Sequence, residues 1–219
     1  MRPRIAHGDV SVIPHLPAEP APREEKLGLV HAILDRFRTM PKATIAKIEG
    51  RCRGGGSELA LACDMRFAAI GRAFLGQPEV GVGIIPGGGG AARLPRLVGR
   101  GRALEIILGC ADFNAETAER YGWVNRALPA GEIDMFVNAL AARIAGFPAE
   151  ALALAKQAVG LDDAGLEDDL AIEEHLFLRS AGTGAAKTRI AAALGGGLQT
   201  KGMEMCCFTH IWAPMAGLA

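Results

Sequence analysis

The sequence predicts an α/β chain with a helical C-terminal region, and three observations carry that prediction. Short apolar or β-branched runs alternate with helix-spaced segments over the first 130 or so residues. Two glycine clusters, at 54–56 and 87–90, each lead towards an apolar, helix-like segment. Beyond Gly99 helical spacing dominates. Strand alternating with helix is the pattern of layered α/β folds. The chain divides into a core over 1–130, a helical region over 131–195 and an aperiodic tail over 196–219.

Taken in order, Ile5 and Ala6 followed by His7, Gly8 and Asp9 read as a strand end passing into a loop. Residues 13–24 hold Pro14, Pro17, Pro20 and Pro22 and few core candidates, which predicts a loop or lid. Leu27, Val30, Ile33, Leu34 and Phe37 recur at helical spacing over 25–39, and Pro41 ends that helix. The alternating run 43–48 reads as a strand, 50–56 as a turn and 57–63 as a short helix with Glu58 in its first turn. Strands follow over 65–69 and 73–75. Gln77, Pro78 and Glu79 form a loop, because proline disfavours helix at the residue before it. Residues 80–85 read as extended, and Pro86 with four glycines opens a helix towards Leu97.

Further helices are predicted over 102–108, over 115–121 with Asn114 as N-cap, and over 133–144, 149–159, 166–179 and 185–194. Residues 123–128 read as a strand. The tail contains three of the seven methionines and the adjacent Cys206 and Cys207, and shows no period.

Composition narrows the function. The chain has 219 residues, 24 Lys and Arg against 24 Asp and Glu, and a formal net charge of zero. That balance argues against a nucleic-acid partner, which needs a basic face. Five cysteines with no CxxC spacing predict free thiols rather than a zinc site or a disulfide frame. The opening residues lack the apolar run of a secretory signal, and no apolar run approaches the roughly 20 residues of a membrane span. These features predict a cytoplasmic protein without a membrane or metal.

The chemistry concentrates at the glycine clusters. Glycine lets a backbone approach a ligand closely or adopt positive φ. A helix N-terminus offers free N–H groups to an anionic oxygen. Glu58 follows the first cluster and Glu79 precedes the second. The pattern fits either acid–base chemistry on a group that becomes an oxyanion, or a structural turn with two unrelated acids. Burying an unpaired carboxylate is costly, so Glu58, in a run of Leu, Ala and Cys, should face a cleft or a partner. No phosphate-binding GxxxxGK[ST] loop, full GxGxxG or GxSxG is present.

Several words recur in an order that closely resembles the crotonase (enoyl-CoA hydratase/isomerase) superfamily: ATIAKIEG from Ala43, GGGSELALACD from Gly54, QPEVGVGIIPGGGG from Gln77, LPRLVGRGRALEIILG from Leu94 and AERYGWVNRALP from Ala118. The resemblance implies repeated ββα turns followed by helices that serve oligomerisation, as a trimer or hexamer. It implies an acyl-CoA thioester substrate, with coenzyme A as part of the substrate and no separate cofactor. Carried over by motif, the oxyanion donors are the N–H groups of Gly8 and Gly55, and the catalytic acids are Glu58 and Glu79. Ala6, His7, Gly54, Pro86 and Gly87 are the implied substrate contacts.

Having both glutamates favours hydration of a trans-2-enoyl-CoA over double-bond isomerisation. The chain begins at the family's first oxyanion turn, so a shortened front, an exposed sheet edge and a reduced acyl pocket are expected, and a catalytically weak acyl-CoA- or subunit-binding relative is the alternative. Arg51 and Arg53 beside the site read as solvated charge, Arg93 and Arg96 as an exposed helix face, and Asp9 and Asp64 as structural.

Overall fold

The structure, a computed structural model, describes residues 9–19 and 27–200. It opens with a 3-10 turn, Val10–His15, capped by Asp9, whose Oδ1 accepts from Ser11 N–H at 2.9 Å. The proline-rich stretch is therefore not all loop. Ile13 is buried against Val82, Ile84 and Ile190, and that burial holds the turn in place although Pro14 lies inside it.

Helix α1, Leu29–Thr39, departs from its predicted face. Val30 and Ile33 are exposed, while His31 and Asp35 are buried. The polar side is turned inward because charged groups wait there: Arg93 lies 3.4 Å from Asp35, and Glu173 lies 3.6 Å from His31.

Strands β1, Ile45–Ile48, and β2, Arg51–Arg53, lead to helix α2, Gly55–Ala62. Strands β3, Met65–Ile70, and β4, Phe74–Gly76, repeat the unit. The stretch read as a turn over 50–56 thus contains a strand. Strand β2 pairs in parallel with β4, Arg51 opposite Phe74 and Arg53 opposite Gly76. Two arginines in three residues hide it from a hydropathy reading. Their charge is met by Asp112, which accepts from Arg53 Nε at 2.7 Å and from Arg51 Nη1 at 3.2 Å. Arg53 is fully buried, so the expectation of solvated charge fails there. Replacing Asp112 with Asn, which removes the carboxylate, is expected to destabilise the fold by about 1.5–3 kcal/mol, read from the urea midpoint.

At Gly54 the chain turns from β2 into α2 with φ 47° and ψ −126°, a conformation that suits glycine. The other end of α2 is held by the buried Arg66, whose guanidinium donates to the carbonyls of Cys63 at 2.6 Å and Ala60 at 3.3 Å. Asp64 is structural as expected, accepting from Thr44 N–H at 2.7 Å and Lys156 Nζ at 2.8 Å.

A 3-10 turn, Glu79–Val82, stands where an extended segment was expected over 80–85. Pro78 caps its start, and Gly83, left-handed at φ 84°, ends it. Then come α3, Gly90–Val98; α4, Arg100–Gly109; β5, Phe113–Asn114; α5, Ala115–Tyr121; and β6, Arg126–Pro129. Asn114 caps α5 by accepting from Thr117 N–H at 2.9 Å. Trp123, expected in a strand, precedes β6 and is wholly buried. The helical region comprises α6, Ile133–Ala145; α7, Ala149–Val159; α8, Leu166–Ala181; and α9, Gly184–Gly195.

Two three-stranded sheets result, ordered β1-β3-β6 and β2-β4-β5. All pairs are parallel except β4 with β5. Strand β3 lies between β1 and β6, and Ala68 and Ala69 on its two faces are both fully buried, as in parallel sheets covered on each side. The main core joins Leu61, Ala68, Leu75, Leu94, Ile106 and Trp123. A separate cluster around Val82, Ile84, Ala186 and Ile190 fastens the 3-10 turns to α9. No single helix among the described residues is long and apolar enough to cross a membrane.

Candidate active site

A cavity of about 580 Å³ brings the two sequence-selected carboxylates together. Glu58 and Glu79 line it, as do Gly54, Gly55, Gly87 and Gly88. Its apolar wall includes Val30, Leu34, Leu59, Val82, Ile84 and Phe177. The exposed side of α1 thus supplies Val30 and Leu34 to this space. A larger cavity of about 840 Å³ is lined by Arg38, Arg66, Arg93 and Lys156, each of which donates to a carbonyl or carboxylate, and contains none of the predicted site residues.

Each feature of the site has a local cause. Glu58 lies in the first turn of α2, the turn set by Gly54, and Gly55 is the first residue of that helix. The first N–H groups of a helix lack intrahelical acceptors, and that of Gly55 belongs to this set. Glu79 is placed by the 3-10 turn after Pro78. The second glycine cluster wraps the Glu58 carboxylate: Glu58 Oε1 accepts from Gly88 N–H at 2.6 Å and from Gly90 N–H at 3.1 Å. A Cβ at Gly88 would stand 2.6 Å from Glu58 Oε2, and one at Gly90 would stand 2.5 Å from Gln77 Nε2, so a side chain at either position would have to displace these site groups.

The two acids differ in their surroundings. Burial pushes the Glu58 carboxyl up to about 7, and the neighbouring Glu173 charge adds to the rise. The Gly88 and Gly90 N–H groups and His31 oppose it by favouring the ionised form. Glu79 is raised well above the usual carboxylate range, first by burial and then by the Glu58 charge. Its Oε2 is buried without a hydrogen-bond partner. Glu58 therefore has the environment of the more readily ionised acid, and Glu79 that of the acid that keeps its proton. Among the described residues the thiols are not nucleophile candidates: burial pushes Cys52 up to about 12 and also raises Cys63 and Cys110.

The predicted substrate contacts divide. Gly54 and Gly87 line the cavity, whereas Pro86 is fully buried and packs beside Gly90. Ala6, His7 and Gly8 lie outside the described residues. Arg93, expected on an exposed face, is buried and donates to the Gly88 carbonyl at 3.2 Å. Arg96 is exposed, as expected, and meets Asp169 at 2.7 Å.

Sequence reasoning missed Glu173. It is buried and accepts from Gly89 N–H at 2.5 Å and Ala92 N–H at 2.6 Å, at the start of the helix whose N-terminus also holds Glu58. A signal existed. Leu166, Leu170, Glu173 and Phe177 fall on one stripe of α8, so an acid occupies a core position.

This arrangement of ββα units followed by helices is the fold of the crotonase superfamily. The family model for enoyl-CoA hydratase/isomerase matches residues 18–187, and the chain belongs to that family. It is 38% identical over 166 residues to a crotonyl-CoA hydratase of Syntrophomonas wolfei, covering 76% of this chain and 62% of the relative. It is 36% identical over 154 residues to a short-chain-enoyl-CoA hydratase of Clostridium acetobutylicum, covering 69% and 59%. Among solved structures, a candidate enoyl-CoA hydratase of Streptomyces avermitilis superposes with a TM-score of 0.81 at 44% identity, covering 84% of this chain and 66% of that one. The chain thus spans about three fifths of the length of these curated relatives.

Proposed function

We propose that this protein hydrates the double bond of a trans-2-enoyl-CoA thioester, with Glu58 as the base on water and Glu79 as the acid at the α-carbon. The observation that carries the reading is the placement of both carboxylates on one mostly apolar cavity in unequal environments. In this reading the acyl chain lies along the apolar wall and the thioester carbonyl approaches Gly55. Glu58 removes a proton from water, and the water oxygen bonds to the β-carbon. The π electrons move into an enolate whose oxygen is held by the Gly55 N–H and, by the resemblance, the Gly8 N–H. The Glu79 proton then passes to the α-carbon, and exchange with solvent returns both acids to their starting states. A preorganised donor of this type contributes on the order of 3–4 kcal/mol to the transition state in other enzymes.

Coenzyme A enters as part of the substrate, and the reaction as written needs no separate cofactor or metal. A cytoplasmic homo-oligomer, a trimer or hexamer, is the assembly that the family resemblance supports. The test is hydration of short and medium trans-2-enoyl-CoA esters, followed by loss of the conjugated thioester absorbance. Turnover carries the reading. Retained binding of the ester without turnover sinks it in favour of an acyl-CoA-binding role, and a shifted double bond without hydration points to isomerisation.

A further inference from the structure

The glutamate that the sequence reading passed over is arranged as a partner of Glu58. Of the five N–H groups in the turn from Gly88 to Ala92, two carboxylates from different helices divide four. Glu58, from α2, takes Gly88 and Gly90; Glu173, from α8, takes Gly89 and Ala92. The donors interleave because Gly89 has φ 101°. A side chain at that position would be strained by this backbone conformation and would have to displace the Arg93 guanidinium. The Glu58 carboxylate is therefore seated on a turn whose other half is held by Glu173.

Charged groups enclose this turn on several sides. Helix α1 brings His31, Asp35 and Arg38; helix α3 brings Arg93; helix α8 brings Glu173 and Glu174; and the 3-10 turn brings Glu79. His31 lies between the two acids of α8, its Nε2 3.6 Å from Glu173 Oε1 and its Nδ1 3.8 Å from Glu174 Oε2. The ring is buried, and neither nitrogen has a hydrogen-bond partner. Arg93 and Arg38 are both hydrogen-bonded to Asp35; the Arg93 charge also reaches Glu173, and the His31 ring faces that acid directly.

We propose that Glu173, backed by His31, is a positioning residue for Glu58: it fixes the turn that seats the Glu58 carboxylate and places a second buried carboxylate on the same run of N–H groups. The inference rests on the catalytic reading of Glu58. Glu173 does not line the cavity, so its action passes through Glu58. Its negative charge opposes ionisation of Glu58, and the imidazole favours it.

The test is a carbon-13 carboxyl titration of the full chain labelled at glutamate, with the Glu58 resonance assigned by its loss in Glu58→Gln. In Glu173→Gln the Glu58 titration is expected to move down by on the order of one pH unit. In His31→Gln it is expected to move up. Rates measured alongside should show a severalfold fall in kcat for Glu173→Gln with little change in KM. A Glu58 titration that stays in place in Glu173→Gln overturns the proposal, whatever happens to the rate. Should Glu173→Gln fail to fold by circular dichroism, His31→Gln decides, and an unmoved titration there is equally fatal. The titration needs no turnover. A wild-type protein that hydrates no enoyl-CoA ester therefore defeats the proposed function, while the coupling of Glu173 to Glu58 is still read.

Discussion

Glu58→Gln is expected to lower kcat for enoyl-CoA hydration by about 10²–10⁴-fold, the usual loss when a positioned general base is removed. The substitution is close to isosteric, and the new amide oxygen can still accept from the Gly88 and Gly90 N–H groups. The turn should survive, and the effect should fall on kcat with KM changed little. Glu79→Gln is expected to lose activity comparably, because an amide cannot deliver the proton that the α-carbon needs. The double variant should lose little beyond the worse single one, since base and acid serve one reaction coordinate. Steady-state kinetics on crotonyl-CoA, with circular dichroism to confirm folding, decide the matter. Unchanged kcat in both single variants would remove these residues from the mechanism.

The second large effect is a loss of folding stability with rising pH. Below about pH 4.5 the Glu58 carboxyl is protonated in both the folded and the unfolded chain. As pH rises from there to about 7, the unfolded chain releases this proton while the folded chain keeps it, so the unfolded state gains. The stabilisation is complete below the unfolded value and is lost as pH passes through the folded one. A rise from 4.5 to about 7 corresponds to about 3 kcal/mol lost by alkaline pH. Glu79 acts with the same sign, because its carboxyl is also raised by burial and by the Glu58 charge. Urea unfolding of wild type at about pH 5 and about pH 8.5, set against Glu58→Gln, isolates the first contribution. The variant should lose less stability over that window. A variant whose pH dependence matches wild type would show that Glu58 ionises in the folded protein as it does in the unfolded chain.

These two effects have one origin. A carboxyl that keeps its proton near neutral pH can serve acid–base chemistry there, and the burial that makes it do so weakens the fold as the group is forced to ionise. Gly88 and Gly90 limit that cost at Glu58 by donating to its ionised form. At Glu79 the opposing backbone contribution comes from its own N–H alone, and Oε2 is buried without a partner; this inequality separates the two roles.

Fold class, family and the acids of the candidate site are legible in the residues alone. Those features are local: a glycine cluster before an apolar helix, an acid in its first turn, a Gln-Pro-Glu turn and an Asn cap all act within a few residues of one another. Periodicity also placed most helices, because an amphipathic stripe is written into one segment. Tertiary packing settles what depends on partners distant in the chain. Strand β2 became visible only with Asp112, about 60 residues on, to meet its arginines. Helix α1 buried His31 and Asp35, and left Val30 and Ile33 exposed, because Glu173 and Arg93 face it from other helices. Arg93 went inside for the same reason. The place of Glu173 at the turn that seats Glu58 joins residues 81 to 84 positions apart. No local pattern encodes such a meeting, since it exists only once α3 and α8 have packed.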